Sequence, residues 1–278
     1  MDYRDLCRRL VPVYGEREAK AIGRLVMEET FGLSWSDLLM DRNPEGEAEQ
    51  HRLAAMTERL AKGEPVQYVL GEADFYGRRF RVTPDVLIPR PETAELCQWV
   101  VADVQMRVAC RVLDIGTGSG CIAVTLAAEL KNSRVAAWDI SEAALAVARE
   151  NAERTGVHVS FRQVDILDAP HDDGQTAFDV IVSNPPYICC SEASGMEVNV
   201  LEHEPHLALF VPDDDPLLFY RAIGRYACKA LADGGALYLE INPLYAAPLA
   251  ALLAEQGFSA VEKRDDDYGK TRFIKAKR

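Results

Sequence analysis

The sequence lacks the long apolar runs, biased repeats and apolar leader that mark several classes of protein. Asp or Arg interrupts every apolar run before it approaches the roughly 20 residues that a membrane helix needs. No homopolymer and no Gly/Pro-rich stretch occurs, which excludes collagen and extended disorder. The first five residues, MDYRD, are charged at once and do not resemble a signal peptide. We therefore expect a globular, cytoplasmic protein without a membrane partner.

Positively charged residues are fewer than negatively charged ones. Lys and Arg number 31 against 44 Asp and Glu, which gives a formal net charge of −13. Proteins bind nucleic-acid backbones through Lys and Arg, so an acidic surface repels a duplex. Direct nucleic-acid binding is therefore disfavoured, although a local basic patch would still permit it.

Cysteine and histidine show no metal-binding pattern. The seven cysteines are an odd number and contain no C-x-x-C spacing, and Cys189 and Cys190 are adjacent, which disfavours a disulfide between them. His203 and His206 are three residues apart, with no third ligand indicated nearby. We expect reduced thiols, mostly in the core, and no metal.

The apolar pattern divides the chain into three parts. Residues 1–65 are predicted to form a small helical bundle, with helices over 17–29, 34–40 and about 43–60. In the first of these, Ala21, Ile22, Leu25 and Val26 are expected to form the apolar face, and Ser34 is placed to cap the second. Residues 66–84 are predicted to be a β-hairpin linker with Gly77-Arg78 between its two strands, and residues 85–278 a larger α/β domain.

Strands and helices alternate in the third part. Strands are predicted over 111–115, 134–139, 157–163, 178–183, 236–241, 260–264 and 271–276, and helices over 93–106, 120–130, 141–155, 216–232 and 243–256. Continuously apolar strands indicate burial on both faces of a parallel sheet. Right-handed crossovers then predict an α/β fold with a doubly wound, mostly parallel, seven-stranded sheet.

A glycine-rich turn follows the first of these strands. It reads DIGTGSG and contains Gly116, Thr117, Gly118, Ser119 and Gly120. Glycines at a strand-to-helix turn let a ligand approach the backbone closely, although a plain structural turn has the same pattern. The glycines alternate and a cysteine follows, which differs from the G-x-G-x-x-G fingerprint of dinucleotide-binding proteins.

Acidic residues follow the next two strands. Asp139 ends its strand about 20 residues after the glycines, where a carboxylate accepts ribose hydroxyls in nucleotide sites. A helix N-cap is the alternative role. Asp165 follows the third strand and suits an adenine amino group, or else is an ordinary loop aspartate. Together with the glycines, they indicate a nucleoside site.

The sequence Asn184-Pro185-Pro186-Tyr187 follows the fourth strand. Prolines have no N–H and stiffen the backbone, so the Asn184 side-chain oxygen and the Pro185 carbonyl are predicted to form a fixed pair of acceptors. Such a pair suits the two hydrogens of a planar –NH₂ group, and the Tyr187 ring is expected to pack on it. A rigid capped turn is the structural alternative.

These motifs resemble known families. Residues 114–120 resemble motif I of the class I S-adenosylmethionine-dependent methyltransferases, and residues 184–187 resemble the [N/D]-P-P-[Y/F] motif of those that methylate amide or exocyclic amine nitrogens. The segments EPVQY (64–68), LIPRPET (87–93) and EPHLAL (204–209) add a narrower resemblance to the release factor glutamine methyltransferases, the HemK/PrmC family. This resemblance covers nearly the whole chain.

The resemblance implies methyl transfer from S-adenosylmethionine to the glutamine N5 in the Gly-Gly-Gln motif of peptide chain release factors. It implies that residues 85–278 form the S-adenosylmethionine-dependent methyltransferase domain. It implies that the glycine loop, Asp139, Asp165, Ile166 and Asn184 bind the cofactor, and that residues 184–187 hold the glutamine. Ile166 replaces an aromatic residue that is frequent in the family, so apolar contact would replace stacking on the adenine. Arg90 and Glu92 border the family's active site and receive no firm role. The helices of residues 1–65 would dock the release factor.

Three other functions compete. An adenine N6-methyltransferase on DNA or RNA would use the same tetrapeptide, but the net charge and the acidic segment 192–204 oppose it. A cofactor-binding adaptor without catalysis would not need the intact tetrapeptide. An NAD-dependent oxidoreductase lacks support because the glycine spacing differs.

Overall fold

The computed structural model describes residues 1–169 and 177–278. These residues form two compact units. The helical unit comprises Met1–Glu72 and Met196–His203, and the sheet unit comprises Ala73–Gly195 and Glu204–Arg278. The division of the sequence into 1–65, 66–84 and 85–278 stays a prediction.

The α-helices of the described residues are listed in chain order: α1 (Tyr3–Phe31), α2 (Trp35–Leu39), α3 (Glu47–Ala61), α4 (Val66–Leu70), α5 (Pro91–Val104), α6 (Cys121–Glu129), α7 (Glu142–Thr155), α8 (Val198–His203), α9 (Leu218–Ala230) and α10 (Ala246–Glu255). The strands are β1 (Glu72–Phe75), β2 (Arg78–Arg81), β3 (Cys110–Ile115), β4 (Ser133–Asp139), β5 (Val159–Gln163), β6 (Phe178–Ser183), β7 (Ile188–Cys189), β8 (Phe210–Val211), β9 (Leu231–Glu240), β10 (Ala260–Asp265) and β11 (Thr271–Lys277). Across residues 1–169 and 177–278, no helix combines the length and the apolar character needed to cross a membrane.

The helical unit is built around α1, which is interrupted at Gly15. This residue has φ 72° and ψ 170°, a non-helical conformation that glycine adopts readily. The predicted cap at Ser34 is confirmed, because its Oγ accepts from the Asp37 N–H and the Asp37 carboxylate accepts from the Ser34 N–H. The apolar core of the unit includes Leu6, Leu10, Val26, Met27, Leu53 and Leu60.

The predicted apolar face of α1 was partly wrong. Ile22 and Val26 are buried as expected, but Ala21 and Leu25 are exposed. The buried partners are Ala19, Gly23 and Met27. The sequence offers apolar residues on both sides of the Ile22–Val26 line, and packing against α3 and α4 decides which side is covered.

The large sheet has the order β10-β11-β9-β6-β3-β4-β5. Strands β9, β6, β3, β4 and β5 pair in parallel, whereas β11 pairs antiparallel with both of its neighbours, β9 and β10. This confirms the predicted mostly parallel, seven-stranded sheet. The chain moves from β3 outward to β5 and then returns to β6 on the other side of β3. The order therefore reverses between β3 and β6, where ligands of such sheets bind.

Both faces of the sheet are covered. Val112 faces one apolar core with α5, α6 and α7, whereas the neighbouring Leu113 faces a second core with α9 and α10, and both are fully buried. Val180 and Ile181 repeat this division on β6. Burial of alternate residues on opposite faces explains why these strands are apolar at every position.

Two boundaries differ from the sequence prediction. Residues 231 and 232 were expected to end a helix, but β9 begins at Leu231, which is fully buried in the second core. Phe178 pairs with Leu231 and Val180 pairs with Ala236, so the extra residues around Gly234 form a bulge. The predicted hairpin is present as β1 and β2, but its turn is Tyr76-Gly77, with positive φ at both residues.

Candidate active site

A cavity of about 360 Å³ opens at the carboxyl ends of the parallel strands. It lies at the point where the strand order reverses, and its volume is typical of small-molecule sites. Most of the predicted site residues line it: Gly116, Thr117, Gly118, Ser119, Asp139, Asp165, Ile166, Asn184, Pro185 and Pro186. Residues separated by up to 70 positions in the sequence thus meet at one place.

The glycine loop after β3 has the conformation that its sequence predicts. Gly116 has φ 72° and Gly118 has φ 54°, and a Cβ at either position would meet no atom within 4 Å. The side of the loop that faces the cavity is therefore open to a ligand. The N–H groups of Gly116 and Thr117 both donate to the Trp138 carbonyl, which fixes the loop against the end of β4.

Asp139 connects this loop to the following helix. Its Oδ2 accepts from the Gly118 N–H at 2.8 Å and its Oδ1 accepts from the Ser141 N–H at 2.9 Å. The N-cap of α7 is Ser141, not Asp139, so the alternative capping role falls to the neighbour. Burial raises the pKa of Asp139, and its backbone hydrogen bonds oppose that shift. Each carboxylate oxygen keeps a lone pair that a ligand hydroxyl can use.

Asp165 and Ile166 border the cavity beside the end of β5. The Val164 N–H donates to the Asp139 carbonyl at 2.9 Å, which holds the two strand ends together. Asp165 Oδ1 accepts from the Leu167 N–H at 2.9 Å, so the loop stabilises its own carboxylate. Ile166 packs against the second core and presents an aliphatic side chain to the cavity.

Asn184 is anchored through its side-chain nitrogen. Nδ2 donates to Thr93 Oγ1 at 3.1 Å, and Thr93 Oγ1 in turn donates to Glu240 Oε2 at 2.7 Å. Among the described residues, Asn184 Oδ1 accepts no hydrogen bond. Asn184 therefore has an acceptor to offer in the cavity that it lines.

Pro185 and Pro186 line the cavity, whereas Tyr187 does not. Its ring packs against the second core, and its hydroxyl donates to Glu240 Oε1 at 3.1 Å. The Asn242 side chain donates to the Tyr187 carbonyl at 3.2 Å. These contacts anchor the Pro-Pro segment, and packing of the Tyr187 ring on a bound amide stays a prediction.

Gly120 also lies outside the lining. It precedes α6 with φ 80°, and a Cβ there would lie 3.0 Å from the Ala148 Cβ. The backbone of α7 passes too close for a side chain. Glycine at this position allows α6 and α7 to pack closely, and a direct contact of Gly120 with the cofactor stays a prediction.

Sequence reasoning missed Thr93 and Glu240, and both are almost fully buried. Burial raises the pKa of Glu240, while the hydrogen bonds from Thr93 and Tyr187 and the nearby charge of Arg272 lower it. A signal for Glu240 existed, because it is a lone carboxylate at the end of the apolar segment 236–239. No comparable signal marked Thr93.

A second buried carboxylate organises the segment that resembles the family's proline-arginine-proline motif. Arg90 Nη2 lies 2.6 Å from Glu204 Oε1, and the Ile88 N–H donates to Glu204 Oε2 at 3.2 Å. Arg90 and Pro205 both line the cavity. Glu204 thus joins two segments of the cavity rim, the one that contains Arg90 and the one that contains Pro205. Glu92, the other acidic residue considered in this segment, does not line the cavity.

Asp114 lies beneath the glycine loop. Its Oδ2 accepts from Thr117 Oγ1 at 2.6 Å and from the Ala123 N–H at 3.2 Å, and its Oδ1 has no partner among the described residues. Complete burial raises its pKa to about 7, against the opposing effect of these two hydrogen bonds. Asp114 therefore supports the loop from below.

Two family models match the chain. A model described as "Methyltransferase domain" matches residues 107–257, and a model described as "PrmC N-terminal domain" matches residues 5–71. The fold is similar to that of a methyltransferase from Pyrococcus furiosus, with a TM-score of 0.52 and 19% identity over 83% of this chain and 98% of that one.

Curated relatives are closer in sequence. The chain is 45% identical to the release factor glutamine methyltransferase of Bacteroides thetaiotaomicron, over 97% of this chain and 96% of that protein. It is 39% identical to the protein of the same name from Flavobacterium psychrophilum, over 96% of this chain and 94% of that protein. The chain belongs to the release factor glutamine methyltransferase family.

Proposed function

We propose that this protein transfers a methyl group from S-adenosylmethionine to the side-chain amide nitrogen, N5, of the glutamine in the Gly-Gly-Gln motif of peptide chain release factors. Family membership supports the substrate, since the relatives carry that name. One observation carries the chemistry: Asn184, anchored through Nδ2, lines the same cavity as Asp139. A candidate acceptor for the amide and a candidate acceptor for the ribose in one cavity support methyl transfer to an amide nitrogen.

The cavity fits S-adenosylmethionine. The open backbone at Gly116 and Gly118 suits close approach of the methionine portion, since no atom lies where a Cβ would be. The spare lone pairs of Asp139 suit the ribose hydroxyls, and Ile166 offers an apolar contact to the adenine near Asp165. When bound, the cofactor supplies an electrophilic methyl group on a sulfonium.

Asn184 and Pro185 bind and orient the substrate amide. An amide nitrogen is a poor nucleophile because its lone pair is delocalised into the carbonyl. Asn184 Oδ1 and the Pro185 carbonyl each accept one N–H of the substrate, which orients and polarises the nitrogen. Positive charge develops on that nitrogen during methylation, so both acceptors bind the transition state more strongly than the ground state. The sulfonium–methyl bond would break as the nitrogen–methyl bond forms, with S-adenosylhomocysteine as the leaving group. The surplus proton leaves to water, and no general base is needed.

Mass spectrometry tests this function directly. Wild-type protein is incubated with S-adenosylmethionine and a purified release factor, and an oligonucleotide containing adenine is offered in a parallel reaction. We expect one added methyl on the Gly-Gly-Gln glutamine and none on the oligonucleotide. Methylation of adenine instead would show that the same acceptor pair serves a base.

The role of Asn184 has its own test. Asn184→Ala should lower the methyl-transfer rate by about 10²–10³-fold, by analogy with loss of a single oxyanion-hole donor. Cofactor affinity, measured by calorimetry, should change far less. Equal losses in rate and affinity would contradict the assignment of Asn184 to the substrate amide.

We further propose that residues 1–65 dock the release factor. The match of the PrmC N-terminal model to residues 5–71 supports this role. Hydrogen exchange on the full chain checks it: added release factor should slow exchange in peptides from residues 1–65. Protection confined to the sheet unit would exclude docking by the helices.

A further inference from the structure

A buried chain of hydrogen bonds runs from Glu240 to Asn184. Glu240 is 1% exposed and Thr93 is 2% exposed, so both groups are shielded from water. Thr93 Oγ1 lies 2.7 Å from Glu240 Oε2 and 3.1 Å from Asn184 Nδ2. Thr93 thus links the carboxylate to the amide.

The chemistry of these groups fixes the direction of every bond in the chain. A carboxylate only accepts, and a hydroxyl has one proton to donate. Burial raises the pKa of Glu240, whereas the hydrogen bonds from Thr93 and Tyr187 and the positive charge of Arg272 favour its ionised form. An ionised Glu240 has no proton to donate, so the Thr93 proton points to it, which leaves Thr93 only lone pairs to offer to Asn184.

Asn184 can satisfy such a partner in one orientation only. If its amide were flipped, Oδ1 would face the lone pairs of Thr93, and two acceptors would oppose each other without a proton between them. A hydrogen-bonding group that is buried without a partner loses its hydration and gains nothing in return, so the flipped form is disfavoured. The amide therefore keeps Nδ2 on Thr93 and Oδ1 free.

We infer that Thr93 and Glu240 are positioning residues, which hold the Asn184 side chain with its oxygen available to the substrate –NH₂ group. This inference rests on the proposed function, because it supposes that the substrate presents two N–H donors. In a flipped Asn184, the Nδ2 donor would face the –NH₂ group of the substrate, which is also a donor. Glu240 does not contact the substrate; it acts through the Thr93 hydroxyl, which keeps Asn184 Oδ1 as the acceptor that faces the substrate.

Thr93→Val tests the inference, since valine fills nearly the same volume without a hydroxyl. We expect the kcat for release-factor methylation to fall about 10–100-fold, a range typical of lost supporting hydrogen bonds. The KM for S-adenosylmethionine should stay within about three-fold. Thr93→Ser restores the hydroxyl and should recover most of the kcat, which a purely steric role of Thr93 would not predict.

Thr125→Val is the matched control. Thr125 is also fully buried, but its Oγ1 has no hydrogen-bond partner among the described residues. The kcat of the Thr125→Val variant should equal that of wild type. If Thr93→Val keeps the wild-type kcat, or if Thr93→Ser loses as much as Thr93→Val, the inference is wrong. A wild-type protein without activity on the release factor would instead refute the proposed function.

Discussion

Glu204 holds Arg90 and Ile88 with one buried carboxylate. Its two oxygens lie 2.6 Å from Arg90 Nη2 and 3.2 Å from the Ile88 backbone nitrogen, across 114 and 116 residues of sequence. The Glu204 side chain is 1% exposed, whereas that of Arg90 is 32% exposed. The cavity rim therefore depends on a carboxylate that does not itself line the cavity.

Glu204→Ala should destabilise the protein by about 1–3 kcal/mol, because it leaves the Ile88 N–H without its acceptor and removes the partner of Arg90. Water can reach the Arg90 guanidinium, which keeps the loss below that of a fully buried pair. Urea denaturation measures the change in the free energy of unfolding.

Glu150→Ala is the control for that measurement. It breaks the Arg81–Glu150 pair, whose side chains are 47% and 42% exposed. Exposed pairs contribute about 1 kcal/mol or less, so this variant should lose less stability than Glu204→Ala. Equal losses would show that Glu204 does not organise the rim.

Asp139→Asn should weaken cofactor binding about 10–100-fold, as expected when a charged hydrogen-bond acceptor is lost. The asparagine nitrogen would face either the Gly118 N–H or the Ser141 N–H, and it cannot accept from either one. One of the two hydrogen bonds that hold the loop would therefore be lost. Calorimetry with S-adenosylmethionine measures the affinity. At saturating cofactor, the methyl-transfer rate should recover to within about three-fold of wild type.

Glu142→Gln controls for charge alone at the start of α7. Glu142 is exposed and pairs with Arg149 on the surface. This variant should bind the cofactor as tightly as wild type. If Asp139→Asn binds S-adenosylmethionine with unchanged affinity, the prediction that Asp139 binds the cofactor is wrong.

Motifs at strand ends explain why most of the cavity lining could be predicted. Gly116 and Asn184 directly follow parallel strands and Asp139 ends one, and the carboxyl ends of neighbouring parallel strands meet at one edge. The order of the strands did not need to be known in detail. Local sequence was enough to bring these residues together.

The supporting contacts could not be predicted in this way. Thr93 meets Asn184 across 91 residues and Glu240 across 147 residues. Nothing in the local sequence pairs a hydroxyl on α5 with a carboxylate on β9. Such partners are set by packing of the helix on the sheet, which periodicity does not resolve. The same limit applies to α1, where the pattern found the helix but not its buried face.

Gly120→Ala should destabilise the protein more than Gly156→Ala. Both glycines have positive φ, 80° and 72°, and alanine there costs roughly 1–2 kcal/mol. At Gly120 the added Cβ would also lie 3.0 Å from the Ala148 Cβ, whereas at Gly156 it would meet nothing within 4 Å. The excess should be about 1 kcal/mol or more. Thermal unfolding compares the two variants, and equal losses would exclude the close approach to α7.

Asp114 should make stability depend on pH. Burial raises its pKa from 3.8 to about 7 in the folded protein, so between these values the folded chain binds a proton that the unfolded chain has lost. Stability therefore falls as pH rises through this window, by up to about 1.4 kcal/mol per pH unit, and changes no further above it. Asp114→Asn does not titrate and should lack this component.

Urea denaturation of wild type and Asp114→Asn between pH 5 and pH 8 isolates the effect, because all other groups titrate in both proteins. The difference in unfolding free energy should shift in favour of the variant as pH rises to about 7, and should then level off. A constant difference would mean that Asp114 is ionised throughout the window. Thr117→Val gives an independent check: it removes a hydrogen bond that lowers the Asp114 pKa, so the window should extend to higher pH.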